Sequence, residues 1–275
     1  MKKTAVTSII LFLSVLACEV QAQITIAPTM VFIDQQNRFG NFLVLNGSDQ
    51  AQEVSIEFPF GYPATNAEGE VQMIYDDSTK AEQFGISNLV KGFPQSFVLQ
   101  PGQRQVVRLT VRPKDFSDGT YWTRIKVTSN AQNPPIGEET DDEITAQITY
   151  KFEQITTLFY KHGETNTGIK INDFTHRKSD NSITFLADVS RSGNSPFLGS
   201  INLNILDSEG NTLLTRSAAT SIYFDYRQTF DIPKDSLDEE EYTAEISFES
   251  QRPDVARENI IQMEPVSNSI SFSRE

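Results

Sequence analysis

Side chains that could catalyse a reaction or bind a metal are few in this sequence. The 275 residues include two histidines, His162 and His176, and a single cysteine, Cys18. Such a set is a poor source of ligands for zinc or another transition metal. The sequence also lacks a glycine-rich phosphate loop, a GxSxG nucleophile motif and an HExxH zinc motif. We therefore predict a protein that uses no cofactor and is not an enzyme.

Carboxylates are abundant, but their arrangement favours solubility over catalysis. Asp and Glu number 37 against 23 Lys and Arg, which gives a net charge of −14 at pH 7. This charge argues against binding to nucleic acid or to an anionic membrane surface, because both require a surplus of basic residues. The densest acidic run, Glu138–Glu143, does not have the spacing of an EF-hand loop. We predict a solvated loop there.

The N-terminus has the layout of a secretory signal peptide. Lys2 and Lys3 precede an apolar run over residues 4–17, which is too short to span a bilayer. A small-x-small cleavage site follows at Val20–Ala22. We therefore predict that residues 1–22 are removed and that the protein is exported.

Cys18 has two interpretations. In the first, it is discarded with the signal peptide, which leaves the mature chain without cysteine and without disulfides. In the second, it is the acceptor of a lipoprotein anchor, and only then would the protein be tethered to a membrane.

The rest of the sequence consists mainly of short runs in which apolar and polar residues alternate. One example is Val107, Leu109 and Val111, and turn signals such as Pro101-Gly102 separate the runs. This pattern predicts an all-β fold of two immunoglobulin-like β-sandwich domains. Within residues 64–87 the alternation fails, and either a long loop or a short helix near Ser78–Phe84 is expected.

The domain boundary is predicted in a polar, glycine-bearing segment. It divides the mature chain into an N-terminal domain over 23–161, a linker over 162–168 and a C-terminal domain over 169–275. Tyr121 and Tyr242 each follow an acidic turn and open a strand. This placement is typical of the tyrosine that ties down a corner of a sandwich.

One strand stands out because its apolar side is long. Ala146, Ile148, Tyr150 and Phe152 share one side of an extended segment. The apolar residues change from even to odd positions after Glu153, which predicts a bulge or a break near Gln154. The segment is either an ordinary core strand or a strand that offers its apolar side chains to another protein.

The first domain resembles the periplasmic pilus-assembly chaperones, the PapD-like proteins with two immunoglobulin-like domains. The resemblance covers roughly residues 24–160. It is carried by Ile26–Phe32, Leu45-Asn46-Gly47, Gly92–Leu109, Tyr121-Trp122 and Leu158-Phe159-Tyr160.

The resemblance implies a function, a periplasmic location and a set of partners. Such chaperones lend alternating apolar side chains to an unfinished subunit sandwich, and the equivalent donor positions here are Ile148, Tyr150 and Phe152, with Ala146 on the same side. The implied partner is an exported pilus or fimbrial subunit, and an outer-membrane usher is a further one.

The chain departs from the family at the residues that anchor a client's terminal carboxylate. The resemblance places that arginine and lysine at Met30 and Thr157, which carry no charge. Either the carboxylate is held elsewhere, with Arg38, Lys151 and Lys161 as the candidates, or this chain has no such anchor. The alternative function is a structural or adhesive module of the cell envelope, or a secreted one, that uses chaperone-like sandwiches without chaperoning.

Overall fold

A computed structural model describes residues 24–112, 114–132, 150–238 and 240–274. These residues form two β-sandwiches with a single short α-helix, which confirms the all-β fold of two immunoglobulin-like domains. Several predictions lie outside the described residues. They are the signal peptide with Cys18, the acidic run Glu138–Glu143, and the predicted donor residues Ala146 and Ile148.

The first sandwich packs a four-stranded sheet against a five-stranded sheet. In the order of pairing, the first sheet contains β1 (Ile24–Ala27), β3 (Phe39–Asn46), β9 (Arg104–Val111) and β7 (Val90–Phe93). The second contains β2 (Met30–Asp34), β11 (Lys151–His162), β10 (Gly119–Ala131), β4 (Gln52–Glu57) and β8 (Ser96–Leu99). Alternating side chains of both sheets, among them Val44, Leu109 and Ile125, fill the core between them.

The irregular segment between β4 and β7 folds into a hairpin and a helix. The hairpin pairs β5 (Tyr62–Thr65) with β6 (Val71–Ile74), and helix α1 covers Ser78–Phe84. Asp77 caps the helix, because its side chain accepts a hydrogen bond of 2.9 Å from the backbone N–H of Lys80. The short helix, one of the two alternatives for this segment, is therefore confirmed.

The second sandwich packs a three-stranded sheet against a four-stranded sheet. The first contains β12 (Thr167–Lys178), β13 (Ser182–Gly193) and β16 (Asp225–Pro233). The other contains β15 (Thr212–Ile222), β14 (Phe197–Leu206), β17 (Glu241–Glu249) and β18 (Val266–Ser273). Short 3₁₀ helices cover Lys234–Ser236 and Arg257–Asn259.

The corner tyrosine of the first sandwich is present. The hydroxyl of Tyr121 donates a hydrogen bond of 3.0 Å to the backbone carbonyl of Ser117, four residues upstream. Its counterpart Tyr242 is buried near the start of β17. The bond ties the loop before β10 to the sheet, as the acidic turn before the tyrosine predicted.

An aromatic cluster fills the space between the two sandwiches. The ring of Trp122, which is fully buried, stacks on Phe84 of α1 at 5.1 Å between centroids. It meets Tyr223 of the second domain edge-on at 4.8 Å, and Phe159 stacks on Tyr223 at 6.1 Å. Aromatic side chains bury large areas and add specific ring geometry, so this interface is packed like a core.

The β5–β6 hairpin also reaches the second domain. The backbone N–H of Arg227 in β16 donates to Thr65 Oγ1 at 2.6 Å, and its Nη1 donates to the carbonyl of Ala67 at 2.6 Å. Asp188 in β13 accepts two hydrogen bonds of 2.7 Å from the same guanidinium and orients it. The hairpin therefore binds one domain to the other outside the aromatic cluster.

Candidate strand-addition site

Strand β11 is covered on one side and partly open on the other. It pairs with β10 along its whole length, Lys151 to His162. On its other side β2 pairs only with Thr157–Lys161. The edge from Lys151 to Thr156 therefore has no strand partner among the described residues. Unpaired N–H and C=O groups on such an edge are a template for an added strand.

Exposed aromatic side chains lie beside this open edge. Tyr150 is 63% exposed and Phe152 is 40% exposed, and their ring centroids are 6.3 Å apart. Because side chains alternate along a strand, Phe152 lies on the same face as Leu158 and Tyr160, which belong to the first core. Phe152 thus places an apolar side chain on this face beyond the core, with the polar Gln154 and Thr156 between them.

The predicted bulge near Gln154 is wrong. The ladder between β10 and β11 runs without a register shift, and Val127 lies opposite Gln154. Apolar residues occur at both even and odd positions because the two faces of β11 pack against different parts of the protein. Leu158 faces the first core, whereas Phe159 faces the aromatic cluster between the domains. Ile155 shares the face of Phe159 but is exposed.

Two side chains on β11 mark the end of the open stretch. Gln154 Nε2 donates a hydrogen bond of 2.6 Å to the carbonyl of Ile24 in β1, and the hydroxyl of Thr156 donates to the carbonyl of Thr29. Immediately beyond, β2 takes over the ladder. A strand added from outside could therefore follow β11 only up to this point.

The two family anchor positions lie side by side. Met30 and Thr157 are directly paired in the β2–β11 ladder. Thr157 is buried, and Met30 packs against the aromatic cluster between the domains. The fold brings these positions together, but with side chains that carry no charge.

A buried arginine that the sequence analysis did not single out lies next to them. Arg124 in β10 is the partner of Thr157 across the ladder, and its Nη1 donates to the threonine hydroxyl. Its Nε donates to the carbonyl of Gly61 at 2.9 Å, and its guanidinium lies 5.3 Å from the ring centroid of Tyr223. Nη2 has no partner among the described residues. The only signal in the sequence is a cation at position 124 between Trp122 and Ile125, which are both buried.

Burial raises the pKa of the Tyr223 phenol, and Arg124 opposes this rise. The neutral phenol is therefore the form that packs against the guanidinium at neutral pH. Because Tyr223 belongs to the second domain and Arg124 to the first, this contact is also part of the interface.

The three substitute cations named from the sequence have other contacts. Lys161 Nζ donates to the carbonyl of Asn259 at 2.7 Å, and burial lowers the pKa of this lysine. Arg38 donates to the carbonyl of Gln35, and Lys151 pairs with Glu153 at 3.1 Å. Lys161 thus ties β11 to the second domain.

The described part of the chain contains no group of three or more His, Cys, Asp and Glu side chains arranged to hold a metal ion. In the same ranges, no helix is both long enough and apolar enough to cross a membrane.

Comparison with solved structures finds pilus chaperones. The YadV chaperone has a TM-score of 0.48 and 11% identity over 90% of this chain and 100% of that chain. A chain of the SafA pilin–SafB chaperone complex of Salmonella enterica has a TM-score of 0.45 and 11% identity, over 92% of this chain and 99% of that chain. A chain of the CsuC–CsuE chaperone–tip adhesion subunit complex of Acinetobacter baumannii has a TM-score of 0.43 and 10% identity, over 90% of this chain and 98% of that chain.

The chain resembles these pilus chaperones. No protein-family model matches the chain, and no curated protein sequence matches it. At these identities the likeness to the pilus chaperones is one of fold.

Proposed function

We propose that this protein is a periplasmic chaperone-like protein that binds exported subunits of the pilus or fimbrial type by strand donation. The observation that carries the proposal is the edge of β11 from Lys151 to Thr156, which no other described strand pairs, with the exposed rings of Tyr150 and Phe152 beside it. The class of client comes from the resemblance to pilus-assembly chaperones. Ala146 and Ile148 extend the donor positions by the same two-residue period.

The physical basis is strand addition. The open backbone groups of β11 would supply ladder hydrogen bonds, which bind any strand of suitable shape. Tyr150 and Phe152 would enter an apolar groove of the client, and alternate side chains of this kind give specificity. Covering the exposed part of each ring would contribute roughly 2–3 kcal/mol, at about 25 cal/mol per Å² of apolar area.

The pairing of β2 limits how far a client strand can run along β11. A client strand would meet β2 at Thr157, where the ladder is already occupied, so it would have to end near Thr29. At that end the buried guanidinium of Arg124 lies beside Thr157, one of the two uncharged family anchor positions, and donates to its hydroxyl and to the carbonyl of Gly61. The proposal therefore assigns the binding energy to the open strand and not to a carboxylate anchor.

The test compares two aspartate variants of the same strand. Tyr150→Asp with Phe152→Asp places charges on the proposed donor face, whereas Ile155→Asp places one on the opposite face at a similarly exposed position. Each tagged protein is purified from the periplasm of its natural host, and co-purifying exported subunits are quantified by mass spectrometry. We expect the double variant to lose at least about tenfold in subunit recovery, since two buried charges each cost more than 1.4 kcal/mol.

The control variant should retain its subunits, and circular dichroism should show that both variants remain folded. Full recovery of subunits by a folded double variant would refute strand donation and favour the structural or adhesive module. The same preparation tests the compartment. The mature N-terminus should be Gln23, and a lipidated Cys18 would place the protein on a membrane instead.

A further inference from the structure

The outer face of the β1-β3-β9-β7 sheet carries a group of exposed apolar side chains. Phe93 is 77% exposed and Phe39 is 68% exposed, and Val106 is also exposed. All three point away from the first core, because their neighbours along the strands, such as Phe42 and Val107, are buried in it. Large exposed aromatic side chains that share one face mark a site of interaction more often than isolated ones do.

The same face is cationic in an acidic protein. Its exposed charged residues are Lys91, Arg104 and Arg108, and the four strands contain no Asp or Glu. None of these three cations forms an ion pair with a residue in the described ranges. With a net charge of −14 for the chain, a face with this composition is locally opposite in sign to the protein as a whole.

The pairing register interleaves the cations with the apolar side chains. Phe93 is the direct partner of Arg108, and Lys91 is the partner of Thr110, which on its other side pairs with Phe39. Val106 lies between the rows of Arg104 and Arg108 on β9. Direct partners are about 5 Å apart and diagonal ones about 7–8 Å. The face we call the basic apolar face is thus continuous, with each cation next to an apolar group.

We propose that this basic apolar face docks a protein whose surface presents Asp and Glu side chains around an apolar patch. Charge complementarity selects this partner, because carboxylates can pair with the three cations, which form no ion pair within the described ranges, and an apolar patch can cover the exposed rings. Nucleic acid is disfavoured, because the four strands of the face hold three cations, which can neutralise few phosphates. A symmetric contact with a second copy is disfavoured, because it would place the same cations opposite each other.

This proposal is independent of strand donation. Phe152 lies on β11, and Tyr150 directly precedes this strand, in the second sheet of the sandwich. Phe93 and Arg108 lie on the outer face of the first sheet. Loss of one activity therefore need not affect the other.

The experiment first captures the partner in the natural host. A photo-cross-linking amino acid replaces Phe93, and a control protein carries it at Leu213, an exposed apolar position in the second domain. The protein cross-linked through position 93 is identified by mass spectrometry, produced separately, and titrated with purified wild-type chain. We expect capture at position 93 but not at position 213, and also in the Tyr150→Asp/Phe152→Asp background.

The charge test uses matched double variants. Arg104→Glu with Arg108→Glu reverses two cations of the face, and Arg177→Glu with Arg216→Glu reverses two exposed cations of the second domain. We expect the first pair to weaken binding of the captured protein about tenfold or more at low salt, with the second pair close to wild type. No capture at position 93, capture of a second copy of this chain, or affinity that is unchanged in the first pair would each overturn the proposal.

Discussion

Removing the indole of Trp122 should destabilise both domains, because this side chain lies at their junction. The ring is fully buried and contacts Phe60, Phe84 and Tyr223 at centroid distances of 5.6, 5.1 and 4.8 Å. Trp122→Ala would leave a cavity between the first sandwich, helix α1 and the second sandwich.

The magnitude follows from what is lost. A buried Trp→Ala change costs about 3–5 kcal/mol through lost burial and cavity formation. The lost hydrogen bond adds little. Trp122 Nε1 donates to the carbonyl of Gly61 at 3.2 Å, but that carbonyl also accepts from Arg124 Nε at 2.9 Å and therefore keeps a partner. Trp122→Phe, which keeps a ring, should cost about half as much or less.

Urea unfolding followed by far-UV circular dichroism measures the effect. Trp122 is the only tryptophan of the chain, so in the wild type its fluorescence reports on the interface alone. The fluorescence and circular dichroism transitions of the wild type should coincide, because the interface packs like a core. A loss below about 1 kcal/mol for Trp122→Ala, or a fluorescence transition well before the circular dichroism transition, would refute the claim that the aromatic cluster joins the domains.

Two other predictions concern polar contacts. Hydrogen bonds from Arg227 hold the pKa of the Asp188 carboxyl below its ordinary value of 3.8, so this pair stabilises the fold above that pH and the effect is lost as pH falls through the depressed pKa. Asp188→Asn should therefore cost about 0.5–1 kcal/mol at pH 7 and progressively less as the pH falls below 3.8, as measured by urea unfolding over this range; a cost that does not change with pH would contradict the assignment. Asn46 is buried, and its Nδ2 donates to the carbonyls of Gln50 and Leu99 at 2.8 and 2.9 Å. Asn46→Ala should lower the free energy of unfolding by about 2 kcal/mol, whereas an unchanged thermal midpoint would show that water replaces the amide.

Much of the fold could be predicted from local pattern. Alternation with a period of two residues identified most strands, and the failure of that alternation over residues 64–87 indicated where the helix of Ser78–Phe84 lies. The tyrosine at position 121 was identified from its position after an acidic turn. These features depend on neighbours in the chain, which is why the sequence contains them.

The change of parity after Glu153 shows where such reasoning ends. The sequence contains apolar residues at even positions and then at odd positions, and a bulge is the simplest explanation for one sheet with one core. The structure has two apolar surroundings instead, one on each face of β11, so Leu158 and Phe159 are both buried in an unbroken strand. Alternation alone does not reveal a second domain behind a sheet.

The sequence by itself determined the strands, the acidic charge, the near absence of catalytic side chains and the apolar run that ends in Tyr150 and Phe152. Only the tertiary structure decided that β2 covers β11 no further than Thr157, that Arg124 is buried against Tyr223, and that the cations of one sheet share a face with exposed aromatic rings. The physical reason is that edges, interfaces and surface patches arise from residues far apart in the chain. Their positions depend on how sheets pair and stack, which is not encoded in any local period.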